Sequence, residues 1–174
     1  MTQVRSKSSP QLGAYVEIQD CVILDPGLVG TICIGTRSKL KTGTVLKAMD
    51  GRIELGSRVT IGEYCYLAGH GGLVIGDNSI VAPHCCISAA NHIFDDVNVP
   101  IRFQGEMALG ICIGSDVWIG ARTVILDGIS IGTGCVIGAG SVVTKSLPDY
   151  AIAIGSPCEV VRWRGRDVFN ISEG

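Results

Sequence analysis

Three histidines, His70, His84 and His92, are the side chains of this sequence suited to moving a proton near neutral pH. Imidazole has a reference pKa of about 6.5, and a positioned imidazole is the commonest general base. His92 lies in a polar stretch, Asn91-His92-Ile93-Phe94-Asp95-Asp96, with an acidic pair close by. His70 sits in the turn Ala-Gly-His-Gly-Gly, and His84 follows Pro83 at a corner. Both read first as solvent-facing structural residues. Eight cysteines raise the question of metal or disulfides, but none has the C-x-x-C spacing of a zinc site. The first residues, MTQVRSKSSPQ, carry no apolar core of a secretory leader, so the thiols are expected to be reduced and the compartment cytosolic.

Composition narrows the classes further. The 174 residues are 47% hydrophobic and only 17% charged, which excludes disorder and fits one domain. Aromatic residues make up 5%, so the interior must be built from small aliphatic and β-branched side chains. Net charge is -2 with no basic block, which argues against nucleic acid as the main partner. No window approaches the roughly 18 unbroken apolar residues of a membrane span.

What must position these groups is a repeat. Ile113, Ile119, Ile125, Ile131, Ile137 and Val143 recur every sixth residue, and so do Val16, Val22, Leu28, Ile34, Leu40 and Leu46. Shorter runs in other phases are Leu55, Ile61, Leu67, Leu73 and then Ile75, Val81, Ile87. Glycine often follows the aliphatic residue, as at Gly35, Gly56, Gly62, Gly76, Gly114, Gly120, Gly132 and Gly138. A period of six is neither the 3.6 of a helix nor simple alternation. Each hexad reads as a short strand ending at a corner, with glycine allowing the φ values the corner needs. Four residues past each aliphatic slot is a small slot, held by Val117, Thr123, Ile129, Cys135 and Ser141, and earlier by Val59, Cys65, Ser79 and Cys85. Cysteine there behaves as a small buried hydrophobe. Cys21, Cys33, Cys86 and Cys112 each precede an aliphatic slot. An antiparallel barrel would need hairpin turns that the unbroken phase from 113 to 143 leaves no room for.

The period fails from Ala89 to about Gly110, shifts at Gly69–Gly72, and dissolves after Val143. Insertions in a solenoid become loops on one face and carry function. The expected organisation is a polar tail over 1–14, repeat coils over 15–150, and a capping strand or short helix over 151–174.

The string NHIFDDVNVPI, then QG, then IGSDVWIGARTVILDGISIGTGCVIGAGSVVTKSLPDYAIAIGSPCEVVRWR resembles the hexapeptide-repeat acetyltransferases, notably the maltose, galactoside and polysaccharide sugar O-acetyltransferases. The C-terminal half carries the match; the N-terminal coils share only the generic repeat. The resemblance implies an all-β fold, a left-handed parallel β-helix with about three hexads per coil and a protruding loop. It implies acetyl-coenzyme A as co-substrate, no metal, a carbohydrate acceptor, and a homotrimer with active sites between subunits.

Moving an acetyl group from a thioester to a hydroxyl requires a base for the attacking alcohol. The resemblance gives that role to His92. Asp95 and Asp96 are candidates to orient its ring, and Asn91, Asp95 and His70 are candidates to bind the acceptor. The pantetheine arm is expected along Trp118, Ala121 and Ala139, and the far end of the coenzyme near Thr144, Lys145 and Arg162. Backbone N–H groups near the glycine corners suit the oxyanion. Several positions depart from the galactoside-type pattern. Ala121 replaces a frequent Ser, Glu159 stands where Arg or Lys is usual, and Ala68 stands where an acceptor-binding Asn is expected. The segment preceding the repeat in maltose and galactoside enzymes has no counterpart. A sugar within a polysaccharide, or its carrier- or nucleotide-linked precursor, therefore fits better than a free galactoside. The rivals are an amino-sugar N-acetyltransferase or an antibiotic acetyltransferase on the same fold, a γ-type carbonic anhydrase using three histidines, and a non-catalytic scaffold. The histidine spacings of 14 and 8 do not resemble the carbonic anhydrase pattern.

Overall fold

A computed structural model describes residues 3–6 and 9–165. The chain winds through short parallel strands that stack into three sheets of seven, six and eight strands. The first face holds Val45–Lys47, Tyr66–Ala68, Cys86–Ser88, Val124–Ile125 and Val142–Val143. The second holds Thr31–Ile34, Arg52–Leu55, Leu73–Ile75, Ile111–Ile113 and Ser130–Ile131. The third holds Lys39–Leu40, Thr60–Ile61, Ile80–Val81, Trp118–Ile119 and Val136–Ile137. This is the left-handed β-helix expected from the repeat. Its ladders reach back into the stretch expected as a tail: Gln3–Ser6 pairs with Ile23–Gly27, and Gln11–Leu12 with Cys33–Ile34.

The hexad is strict only in the C-terminal coils. Ile125 stands opposite Val143 and Ile113 opposite Ile131, 18 residues on. Earlier coils are longer, with Leu24 opposite Leu46, Leu46 opposite Leu67 and Leu67 opposite Ile87. Extra residues at the corner between the first and second faces absorb the difference. That is why Leu28, though in phase with Val22 and Ile34, is 76% exposed: it lies on a turn at this corner, after Gly27 at φ +83. Val16 and Val22 also shift, aligning with Ser38 and Thr44 while Ile18 and Leu24 stand opposite Leu40 and Leu46. Leu40, Leu46, Ile61, Leu67, Val81, Ile87, Ile119 and Val143 are fully buried.

The small slot has a second function besides size. Its hydroxyls and thiols donate to carbonyl oxygens at the corners. Ser38 Oγ donates to the Gly56 carbonyl at 2.8 Å, Ser79 Oγ to Gly114 at 3.1 Å, and Thr44 Oγ1 to Gly62 at 2.9 Å. Cys85 Sγ reaches the Gly120 carbonyl at 3.2 Å and Cys135 Sγ that of Pro148 at 3.0 Å. Burial pushes the Cys86, Cys135 and Cys158 thiols above their usual range. Cys65 is raised further, by the Cys85 thiol stacked beside it and then by burial. Cys65, Cys85, Cys135 and Cys158 are buried, whereas Cys21 and Cys112 are exposed.

The corner glycines do not serve the φ role expected of them. Left-handed backbone falls two residues later, at Arg37, Arg58, Tyr64, Asn78, Asp116 and Arg122. The glycine itself is demanded by the next coil. A Cβ on Gly62 would lie 2.6 Å from the Pro83 nitrogen, and one on Gly114 would lie 2.7 Å from that of Thr133. Side chains are excluded because one backbone rides directly on another. Aspartates finish these corners: Asp77 accepts the Ser57 N–H at 2.8 Å, and Asp149 accepts that of Thr133 at 2.8 Å.

The C-terminal end is capped by sheet. Ala151–Ile154 extends the third face, and Glu159–Trp163 turns back antiparallel against it. A strand thus stands where a short helix was the alternative; residues 166–174 lie outside the described residues. Gly114→Ala is expected to destabilise the fold by about 1–3 kcal/mol through overpacking. Gly140→Ala, with nothing within 4 Å of a new Cβ, should cost only the left-handed strain of about 1 kcal/mol. Denaturant unfolding of the two variants checks the order.

Candidate active site

One corner carries the long insertion. Ile87 on the first face stands opposite Ile125, and Ile75 on the second opposite Ile113, 38 residues on where neighbouring coils take 18 to 22. Outward and return limbs pair as Asn91–His92 against Glu106–Met107. The tip is closed by Gln104, whose Nε2 donates to the Asp96 carbonyl at 2.8 Å and to that of Val99 at 2.6 Å. A single turn of 3₁₀ helix, Ile101–Phe103, completes it.

The insertion is pinned at its base. Asp127, on the following coil and 9% exposed, accepts the Leu109 and Gly110 N–H groups, each at 2.8 Å. Gly71 and Gly110 pass so closely that a Cβ on Gly71 would meet the Gly110 nitrogen at 2.5 Å. The chain therefore rejoins the stack at a fixed place, and the paired limbs are projected from a rigid rim.

Pairing sets His92 directly opposite Glu106, and cross-strand partners share one side of a ribbon. Glu106 Oε1 lies 3.7 Å from His92 Nδ1. On the preceding coil, His70 occupies the same corner, with its Nε2 3.9 Å from Glu106 Oε2. These three residues, with Ser88, Ala90 and Asn91, line a cavity of about 220 Å³. Its lining mixes polar groups with apolar surface in about equal measure.

Of the sequence candidates, His92, His70 and Asn91 converge on this cavity. Asp95 is exposed and is not part of its lining among the described residues. Asp96 turns its carboxylate to the Asn98 N–H at 2.9 Å. The carboxylate facing His92 is Glu106, which sequence reasoning passed over. The signal for it is pairing: the insertion folds back on itself, and Glu106 falls opposite the histidine. Ala68 is buried at the end of its strand, on the side opposite the core residue Leu67 and beside Ser88 of the cavity lining. His84 stands apart at another corner, its ring stacked on Tyr64 at 5.5 Å between centroids.

The expected coenzyme residues sit elsewhere on the chain. Trp118 is exposed on the third face, beside a groove of about 300 Å³ that Arg164 and Asp116 help to line. The Arg164 guanidinium donates to Asp116 Oδ2 at 2.8 Å. Ala121 and Ala139 follow strands of that face at the corner leading to the first. Thr144 and Lys145 share the corner of the insertion, beyond Asp127. Lys145 Nζ meets Glu159 Oε1 at 3.5 Å, while Arg162 lies exposed on the antiparallel edge strand opposite Ile152. One chain does not bring Trp118 to His92. Among the described residues no group of three or more His, Cys, Asp or Glu is arranged to hold a metal ion, and no helix is long and apolar enough to cross a membrane.

Asp127→Ala should release the base of the insertion. The expected result is a loss of about 1–3 kcal/mol, the worth of hydrogen bonds to a charged acceptor, with limited proteolysis cutting first within residues 89–110.

Comparison with known proteins agrees with this architecture. Residues 113–145 match the family described as bacterial transferase hexapeptide (six repeats). A probable acetyltransferase of Mycobacterium tuberculosis is 37% identical over 119 residues, 68% of this chain and 40% of that protein. Galactoside O-acetyltransferase of Escherichia coli is 45% identical over 91 residues, 52% of this chain and 43% of that protein. The chain spans about half the length of the curated relatives it matches. Among solved structures, a mutant of AntD, an N-acyltransferase from Bacillus cereus in complex with dTDP and coenzyme A, superposes with a TM-score of 0.74 at 26% identity. That match covers 90% of this chain and 85% of the other. A maltose O-acetyltransferase from Clostridium difficile gives 0.61 at 27% identity, covering 88% and 68%. The chain is a hexapeptide-repeat β-helix, and its resemblance in sequence and in fold is to the acetyltransferases built on that repeat.

Proposed function

We propose that this protein transfers an acetyl group from acetyl-coenzyme A to a hydroxyl of a sugar, with His92 as general base. The observation that carries this reading is an imidazole lining a cavity with a carboxylate 3.7 Å from its Nδ1. With Nδ1–H turned to Glu106, Nε2 is the nitrogen free to take a proton. As the acceptor oxygen bonds to the acetyl carbon, His92 takes the hydroxyl proton; as the carbon–sulfur bond breaks, it returns that proton to the departing thiolate. Asn91 and His70 line the cavity and are candidates for holding the sugar, whereas Asp95 lies outside its lining.

For the coenzyme, Trp118, Ala121 and Ala139 offer an apolar run, and Thr144, Lys145 and Arg162 offer polar and positive groups. Relatives and structural neighbours support the co-substrate, since AntD was crystallised with coenzyme A and with dTDP. The dTDP in that neighbour favours a nucleotide-linked sugar as acceptor here. Because Trp118 and His92 lie on different parts of one chain, a complete site draws on a second copy. We assign the working form as a homotrimer with its sites between subunits. The apolar tip of the insertion, with Phe94 66% and Phe103 71% exposed, suits burial against a neighbour. A cytosolic location fits a co-substrate made there.

A second reading is transfer to an amine, favoured by the likeness to an N-acyltransferase. An amine of suitable pKa attacks without a strong base, so one substitution separates the two. With acetyl-coenzyme A and a panel of free, carrier-linked and nucleotide-linked sugars, His92→Ala is expected to lose thiol release by about 10²–10⁴-fold, the span of a general base. Coenzyme binding by calorimetry should be retained. Equal rates for the two proteins on a hydroxyl acceptor would refute the mechanism. Light scattering should return three times the 18.2 kDa of one chain; a monomer would refute the assembly.

A further inference from the structure

Glu106 stands between two imidazoles that come from separate coils. Oε1 lies 3.7 Å from Nδ1 of His92, across the paired limbs of the insertion. Oε2 lies 3.9 Å from Nε2 of His70, on the corner of the preceding coil. The His70 side chain is 23% exposed, against 62% for that of His92. Its Nδ1 is buried, with no hydrogen-bond partner among the described residues. A buried N–H without an acceptor is rarer and costlier than a buried lone pair without a donor. The lone pair of His70 is therefore on Nδ1 and its proton on Nε2, the nitrogen that faces Glu106.

A carboxylate only accepts. Glu106 alone would be a poor guide for His92, since its side chain is 48% exposed on a two-stranded loop and free to change rotamer. A proton donor fixed in the rigid corner of the neighbouring coil changes that. At 3.9 Å it is not yet hydrogen-bonded to the carboxylate, but a small closure of the insertion lets it hold one oxygen and so aim the other at His92 Nδ1.

We propose that His70 is a positioning residue for His92, acting through Glu106 to keep the His92 proton on Nδ1 and the Nε2 lone pair toward the cavity. This rests on the reading of His92 as the base, and it takes His70 out of direct acceptor binding. The chain of contacts runs from the coil through the carboxylate to the loop, so it also fixes where the insertion sits over its own stem.

Nitrogen-15 NMR of the histidine rings in the full chain reads the tautomer of His92 without any acceptor. The wild-type protein is expected to hold the Nδ1–H form. His70→Gln, whose amide N–H reaches the place of Nε2, should keep it. His70→Asn, whose amide ends nearer the backbone, and His70→Ala should shift His92 toward the Nε2–H form. Hydrolysis of acetyl-coenzyme A, with water standing in for the acceptor, should fall about 10-fold in His70→Asn, the worth of one charge-assisted hydrogen bond, and should be largely preserved in His70→Gln. An unchanged His92 tautomer in the Asn and Ala variants would overturn the relay, as would Gln and Asn variants that behave alike. If His92→Ala still hydrolyses the thioester at the wild-type rate, it is the base assignment that fails, and the tautomer measurement judges the relay by itself.

Discussion

Every feature of this molecule depends on one constraint: at each corner, the backbone of one coil rests directly on the backbone of the next. The Gly114 N–H donates to the Ile131 carbonyl at 2.8 Å, the Gly120 N–H to that of Ile137 at 2.8 Å, and the Gly62 N–H to that of Val81 at 2.7 Å. Approach this close excludes a Cβ, which makes the glycine a requirement of stacking. The left-handed residues two positions on, such as Arg58 at φ 56 and Arg122 at φ 60, carry the strain of the turn. Those residues can be large because they point outward. Inside, Ser38, Thr44 and Ser79 join the coils through the carbonyls of the corner glycines, so the small slot must be compact, and where it is polar it donates.

The constraint also explains how a solenoid accommodates an insertion. The stack tolerates any length of chain that leaves and re-enters at one corner without disturbing the rungs on either side. Here the re-entry is held by Asp127 on two backbone N–H groups and by the contact of Gly71 with Gly110. The limbs then pair with each other, because backbone groups leaving a sheet need partners of their own. That pairing sets Glu106 across from His92, and the fixed corner below supplies His70. Rigidity at the site is thus inherited from the coil, although His92 itself is on the loop.

The architecture was largely legible in the sequence, because a hexad is enforced at every corner. Ile113 to Val143 kept phase throughout, and the small-slot residues Cys65, Cys85 and Cys135 proved buried as read. Leu28 misled because period alone does not register extra residues inserted at a corner. The glycines were placed correctly but for the wrong reason, since the contact that demands them comes from 16 to 39 residues along the chain and leaves no local mark. In the site, His92 stood out by its place in the interruption. Glu106 did not, because nothing in the loop's sequence announces that it folds back in that register. Asp95 and Asp96 drew attention by nearness in sequence, but Asp96 turned out to cap its own turn.

The geometry around His92 carries a further implication about what completes the site. Contacts of 3.7 and 3.9 Å are longer than a formed hydrogen bond, and a ring that is 62% exposed works in a high dielectric, where a carboxylate steers it weakly. Catalytic hydrogen bonds commonly tighten only once the reactants are in place. A cavity of about 220 Å³ is small enough for a single sugar ring to displace most of its water. As that water leaves, each electrostatic contact in the row from His70 to Glu106 to His92 gains strength together, because all three groups face the same space. The single chain provides the aligned groups, and under the proposed function an acceptor filling the cavity is what lowers the dielectric in which that alignment acts.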